Sequence, residues 1–207
     1  MSYMFQESLK LKILQCVCVK YANFLYSQAN YEDAVMYLQD ALKANPEVVP
    51  DIIYGGLEKV TLPEALQDQV EAQEEVSLPA PVLAHYLLLL SHKQLGQMRH
   101  AEQSLLKLLD EVYAENHDSP FLQALLGLAM MEMGVFREAA LHFRNAWILD
   151  SDYQLALDNY CLCLCLDVFN TLQRALGSIF VYCGIWQDDE AFDSQVARIM
   201  QAAENIF

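Results

Sequence analysis

The feature that most constrains this chain is a short pattern that recurs three times within helical periodicity. In each copy a large apolar residue is followed three positions later by alanine, at Tyr31 and Ala34, Met98 and Ala101, and Phe136 and Ala139. A residue typical of turns or helix caps lies just before each copy, so each copy begins the second helix of a pair. Similarity at a near-constant period is typical of repeat proteins, whose units bury their apolar faces against each other. The chain is therefore predicted to be all-α and built from antiparallel helix pairs.

The pairs are predicted near residues 13–46, 81–115 and 119–152. In the third, Ser119 is a capping residue followed by Pro at the first helical position. This pattern resembles the tetratricopeptide repeat (TPR), a 34-residue helix-turn-helix with small residues where its helices touch. Gly127 and Ala139 stand at such small positions, and Phe136 and Phe143 are expected to pack into the adjacent repeat. The resemblance implies an α-solenoid with right-handed superhelical winding.

The rest of the chain is predicted to complete a single helical domain over 1–207. Residues 153–186 read as a degenerate fourth repeat, with one helix to about Leu166 and a second from about Asn170. Residues 187–207 read as an amphipathic capping helix. Residues 47–79 are an acidic insertion or a decayed repeat, in which the capping-box sequence Thr61-Leu62-Pro63-Glu64 predicts a helix to about Glu75.

Composition limits the partners that such an array can have. The formal net charge is −16, and a chain this acidic repels phosphate backbones, so no direct nucleic-acid partner is expected. The apolar fraction of 55% excludes a disordered chain. Uninterrupted apolar runs are short compared with the roughly 20 residues of a membrane span, which predicts no transmembrane segment. With no secretory signal and six cysteines read as buried, reduced thiols, the expected compartment is cytoplasmic or nuclear.

Sequence motifs for catalysis are not found. The chain lacks a phosphate-binding P-loop, a dinucleotide-binding glycine fingerprint, a nucleophile elbow and a zinc helix. The five histidines are scattered, and the cysteines lack the C-x-x-C spacing of zinc sites. The sequence therefore predicts no enzyme, no catalytic or metal-ligating residue, and no cofactor.

In the TPR family the first helices of the pairs form a concave groove, and the resemblance implies which residues point into it here. These inward residues, called the inner face below, are mostly apolar: Val19, Asn23, Tyr86, Leu90, Phe121, Ala124, Leu128, Met131 and Leu162. Two interpretations stay open. An apolar or amphipathic helix or segment of a partner protein fills the groove, or the C-terminal helix or the 47–79 insertion of the chain itself covers it.

The function implied by this resemblance is a non-catalytic scaffold or adaptor subunit of an intracellular hetero-complex. The alternative is a peptide-recognising co-chaperone or a cargo receptor. TPR co-chaperones that bind acidic tails need cations along the groove, and this chain offers Lys20 and Lys93 but none between Ser119 and Val135. The 119–152 stretch with Leu157-Asp158-Asn159 is also similar to the C-terminal repeats of a TRAPP vesicle-tethering complex subunit, which adds a trafficking role to the alternatives.

Overall fold

The computed structural model describes residues 3–44, 49–70, 75–115 and 119–182. Most of them are helical, and a two-stranded sheet and a 3₁₀ helix lie between the second and fourth α-helices. In chain order the elements are α1 Tyr3–Ser27, α2 Tyr31–Lys43, β1 Asp51–Gly55, the 3₁₀ helix Gly56–Thr61, α3 Glu64–Val70, β2 Glu75–Pro79, α4 Ala80–Gln94, α5 Met98–Glu115, α6 Pro120–Glu132, α7 Phe136–Leu149 and α8 Gln154–Tyr182. Helices α1 and α2, α4 and α5, and α6 and α7 form antiparallel pairs, so the predicted all-α array of antiparallel helix pairs is confirmed.

The turns between paired helices need a left-handed backbone, and two of the three have glycine there. Gly96 has a φ of 69° and Gly134 a φ of 73°. Glycine adopts this conformation without the Cβ clash that other residues suffer. In the first pair the same position is held by Ala29, with a φ of 58°. The chain therefore reverses at similar points in all three pairs, but with backbone strain in the first.

Small residues bring the helices of a pair into close contact, in agreement with the sequence prediction. Ala34, Ala101 and Ala139 are completely buried. A Cβ on Gly127 would lie 2.8 Å from the ring of Phe143, so α6 and α7 meet at van der Waals distance where α6 has no side chain. The expectation that Phe143 packs into the adjacent repeat differs from the structure. Its ring instead fills the space over Gly127 within its own pair.

The segment between the first and second pairs is a β-hairpin with a helical tip rather than a decayed repeat. β1 pairs with β2 in antiparallel register from Asp51 opposite Pro79 to Gly55 opposite Glu75. In both strands buried and exposed residues alternate, which is the period of a strand with one face on a core. The helix predicted from the capping box begins at Glu64 but ends at Val70. The prediction that it reaches Glu75 is wrong, because Glu75 is the first residue of β2.

The fourth helix pair predicted at 153–186 is also absent over the residues that the structure describes. α8 runs without interruption through Asn170, the predicted start of a second helix. No Gly or Pro occurs between Gln154 and Ala175, so nothing in the sequence ends the helix. The chain divides into two compact units, Met1–Leu164 and Cys165–Phe207. The single domain over 1–207 stays a prediction. The capping helix predicted at 187–207 lies outside the described residues.

Part of α8 is also long and apolar enough to cross a membrane. Gln154–Ala175 is a 22-residue helical stretch with a mean hydropathy of 1.3, and 11% of it is buried. By length and composition alone it is able to span a bilayer, contrary to the prediction of no such segment. Asp158, Asp167 and Asn170 break it into short apolar runs, which is why counting uninterrupted apolar residues missed it.

Candidate functional site

The inner face lies largely inside the protein. Four of its residues, Val19, Asn23, Tyr86 and Ala124, are completely buried, and Leu90 and Leu128 are each 5% exposed. The side chains of Phe121 and Met131 are half-buried. Leu162 differs, because it lies on α8 with 46% of its surface exposed. The residues predicted on α1, α4 and α6 therefore share a covered region, and Leu162 is left outside it.

The 49–79 segment packs against α1 through polar contacts. Asn23 donates a hydrogen bond from Nδ2 to Oγ1 of Thr61 at 2.9 Å. The Lys20 ammonium lies 2.9 Å from an oxygen of the Glu58 carboxylate and 5.1 Å from the ring centroid of Tyr54. If the segment moved away from α1, the side-chain amide of Asn23 would lose its hydrogen bond to Thr61. A polar group left without a partner inside the protein lowers stability. These contacts hold the segment in one position on α1.

Apolar packing attaches the same segment to the other first helices. α3 contacts α6, and β2 contacts α4. Its inward side chains belong to one continuous core with those helices: Ile52, Tyr54, Leu62, Leu66, Val70, Val76 and Leu78. The hydroxyl of Tyr153, just before α8, also donates to Gln69 of α3. Of the two interpretations left open by the sequence, the structure has the chain's own insertion on the inner face.

A pocket of about 370 Å³ remains between the tip of this segment and the helices behind it. Six of the residues that line it are Tyr26, Glu64, Asp68, Tyr86, Leu90 and Glu132. Glu64 and Asp68 are one turn apart on α3, so both carboxylates lie on the same side of that helix. Glu132 is paired with Lys93, with 2.5 Å between Nζ and Oε2.

Two tyrosines form the inner wall of the pocket. Burial raises the pKa of Tyr86, and the charges of Glu132 and Tyr26 act in the same direction. Burial raises the pKa of Tyr26 to about 12, again with Glu132 contributing. The hydroxyl of Tyr86 is buried and has no hydrogen-bond partner. Tyr86 is itself one of the residues that line the pocket.

His142 is a buried titratable side chain outside the pocket. His142 on α7 shares a hydrogen bond with Gln123 on α6, at 2.9 Å between Nδ1 and Oε1, and burial lowers the pKa of His142. Across the described ranges, no group of three or more His, Cys, Asp or Glu side chains could hold a metal ion. Cys163 is buried as predicted, but Cys161 and Cys165 are exposed, so the prediction that all the cysteines are core thiols is wrong.

The outer side of α1 carries a surface that the sequence analysis missed. Five exposed apolar residues succeed one another at spacings of three or four, and they are named the α1 stripe: Leu9, Ile13, Val17, Tyr21 and Phe24. This spacing places them along one side of the helix. The Tyr21 ring packs edge-on against Tyr37 of α2 at 4.8 Å between centroids, which extends the stripe onto the second helix. The signal was available in the sequence, since α1 is apolar on more than one face.

Comparison with known proteins adds little to what the structure shows about the fold and the candidate sites. No family model matches the sequence, and no curated protein matches it. Among solved structures, the C-terminal TPR-containing domain of a Plasmodium falciparum FK506-binding protein is similar, with 14% identity and a TM-score of 0.44. The alignment covers 85% of this chain and 97% of that chain. A resemblance of this size assigns neither a family nor an activity to the chain.

Proposed function

We propose that this chain is a non-catalytic protein-interaction module, a scaffold or adaptor subunit that docks an amphipathic helix of a partner protein on the α1 stripe. The observation that carries the proposal is the stripe itself, a row of large apolar side chains left exposed along α1. Contiguous exposed apolar surface on a soluble protein commonly marks an interaction site. Residues spaced by three and four along a helix form the surface that a second helix packs against.

The degree of exposure along the stripe supports the same conclusion. Leu9, Ile13 and Val17 are between 49% and 58% exposed on α1. A partner helix lying along α1 would cover these side chains.

The alternative function is a peptide-recognising co-chaperone or a cargo receptor, and its best-defined form, recognition of acidic peptide tails in the groove, has less support. Such recognition needs free cations on the inner face, and Lys20 and Lys93 are its candidates. Lys20 is paired with Glu58, and Lys93 is paired with Glu132. Both ammonium groups are already paired with carboxylates of the same chain. An acidic tail would therefore have to displace Glu58 or Glu132 before it could bind a lysine.

We also propose that the chain works in a reducing compartment, cytoplasmic or nuclear. The exposed positions of Cys161 and Cys165 support this, because exposed thiols persist where glutathione and thioredoxin keep them reduced.

The test is a purification in which one surface is changed at a time. Tagged wild-type protein is expected to retain a partner at fixed stoichiometry, and cross-links from a photoreactive residue at Ile13 are expected to reach that partner. Ile13→Glu with Val17→Glu should release the partner and leave the helical circular dichroism signal unchanged. Leu106→Glu, at an exposed apolar position of α5, is the matched control and should retain it.

Two results would count against the proposal. One is a partner that survives the Ile13 and Val17 changes, which would place its docking site elsewhere. The other is a wild-type chain that forms a dimer by light scattering and becomes monomeric in the double variant. In that case a second copy of the chain is the occupant of the α1 stripe.

A further inference from the structure

The pocket beneath α3 has the dimensions of a site for one side chain. Its volume of about 370 Å³ is near the lower end of the range of roughly 300–1,000 Å³ for ligand pockets. A helix, with a diameter of about 10 Å including side chains, does not fit in this space. The pocket is therefore matched to a single long side chain that reaches in from an extended segment lying outside.

The charges around the pocket favour a cation. Glu64 and Asp68 contribute two exposed carboxylates, and Glu132 contributes a third that is paired with Lys93. No lysine or arginine is among the residues that line the pocket. The electrostatic potential around the whole protein is also negative, since the chain carries a net charge of −16. A positively charged group is attracted both from a distance and at the mouth of the pocket.

The unpartnered hydroxyl of Tyr86 is a separate observation that indicates a ligand. Tyr86 is completely buried, and buried side-chain polar atoms nearly always have a hydrogen-bond partner. An isolated buried hydroxyl lowers stability, because its bonds to water are not replaced. A ligand with N–H groups at the inner end of the pocket would supply the missing hydrogen bond.

We propose that this pocket binds the guanidinium group of an arginine in an extended segment of a partner protein. A planar guanidinium presents five N–H donors and pairs with carboxylates in a fixed geometry. It also packs favourably on aromatic rings, and the half-buried Tyr26 provides one at the pocket. A metal ion is the less suitable cation, since the described residues include no cluster with metal-binding geometry. The inference rests on the proposed role as a protein-interaction module and adds a second, chemically different contact to it.

The first test uses a neutral pentapeptide, acetyl-Ala-Gly-Arg-Gly-Ala-amide, titrated into the ¹⁵N-labelled full chain. Saturable shifts are expected for the backbone amides of Ala65, Leu90 and Gln94, which border the pocket. The same peptide with citrulline, which has the arginine shape without its charge, should bind at least fivefold more weakly. A lysine peptide should bind at least threefold more weakly. Equal affinity for the citrulline peptide would overturn the proposal, and equal affinity for lysine would overturn the assignment to arginine.

A charge-matched pair of variants separates the pocket from the general attraction of an acidic protein. Glu64→Gln with Asp68→Asn removes two charges at the pocket and should weaken the arginine peptide at least fivefold. Glu102→Gln with Glu138→Gln removes two charges from exposed positions of α5 and α7 and should leave affinity within twofold. Equal weakening by both pairs would show that the peptide responds to net charge alone.

Tyr86→Phe tests the unpartnered hydroxyl. Removal of a hydroxyl without a hydrogen-bond partner should leave the melting temperature unchanged or raise it, while the arginine peptide loses at least threefold in affinity. Unchanged affinity would overturn the role of the hydroxyl in binding. These readouts are independent of partner capture by Ile13 and Val17, so a failure at the pocket and a failure of the proposed scaffold function are distinguishable.

Discussion

Helices α6 and α8 are both rich in apolar residues, yet the structure buries one and exposes the other. In α6 every residue from Leu122 to Met130 is buried. In α8, between Gln154 and Ala175, the described residues that are fully buried are Ala156 and Cys163. The comparison shows that an apolar composition allows a helix to be buried in a core, but does not by itself determine whether the helix is buried.

The difference between the two helices arises at their C-terminal ends. α6 ends before Gly134, whose positive φ turns the chain so that α7 folds back against it. α8 has no glycine at the corresponding place, and the chain continues as helix through Asn170. Over the residues that the structure describes, no second helix therefore folds back onto α8. A reversal of the chain, more than the apolar pattern, therefore determines whether a helix pair forms.

The same substitution on the two helices should have opposite outcomes, and this is the largest effect we expect. Leu128 on α6 is 5% exposed, so Leu128→Asp buries an unpaired carboxylate and should lower the free energy of unfolding by about 3–5 kcal/mol. Leu172 on α8 is 55% exposed, and Leu172→Asp should change it by less than about 0.5 kcal/mol. Urea unfolding followed by circular dichroism measures both.

Similar losses in the two variants would mean that α8 is covered as thoroughly as α6. A stable Leu128→Asp protein would instead mean that the 49–79 segment does not occupy the inner face in solution. Either result would remove the contrast between the two helices.

Close helix packing should also be specific to the α6 and α7 pair. Gly127→Ala places a methyl group within 2.8 Å of the Phe143 ring and should cost about 2–3 kcal/mol, because either the ring or α7 must move. Phe143→Leu in the same chain should restore part of that loss.

The matched control is Cys161, which lies 34 residues beyond Gly127, one TPR length, and is exposed on α8. Cys161→Leu should therefore leave thermal stability nearly unchanged, and a loss as large as that at Gly127 would contradict this interpretation.

Acid should destabilise the paired helices through their buried histidines, of which α8 has none. Burial lowers the pKa of His85 on α4 to about 4, with Lys107 acting in the same direction and Asp110 opposing it. The unfolded chain takes up this proton near pH 6.5, so stability is complete above that pH and falls as the pH is lowered. At pH 5 the loss from this residue is about 2 kcal/mol. Urea unfolding of wild type and His85→Leu at pH 7 and pH 5 measures it, and an equal pH dependence in both would exclude His85 as the cause.

The smallest effect concerns the turn of the first pair. Ala29 has a left-handed backbone where the other two pairs have glycine. Ala29→Gly relieves that strain, at the cost of extra freedom in the unfolded chain, and should stabilise the protein by about 1 kcal/mol. Gly134→Ala should destabilise it by a similar amount. Thermal melts compare the two, and a loss of stability in Ala29→Gly would show that the turns of the three pairs are not equivalent.

Sequence reasoning predicts the three helix pairs because their signals are local. Alanines at the contacts, a Ser-Pro start and glycines at the turns each act within a few residues. The hairpin is not predicted from the sequence although its strands alternate, with Ile52 and Tyr54 buried between exposed neighbours, because the capping box in the same segment predicts a helix. The pocket could not be predicted at all. Its walls come from α1, α3, α4 and α6, and only the fold places Glu64, Asp68 and Tyr86 around one pocket.

The two ends of the hairpin meet, which makes the 49–79 segment a cassette within the chain. The amide of Ala80 donates a hydrogen bond to the carbonyl of Pro50 at 2.9 Å, and Asp51 lies opposite Pro79. A linker of a few residues can therefore replace everything between these points without lengthening the path from α2 to α4. The segment therefore leaves the helical array and returns to it at one point, and from that point its side chains complete the core of the inner face.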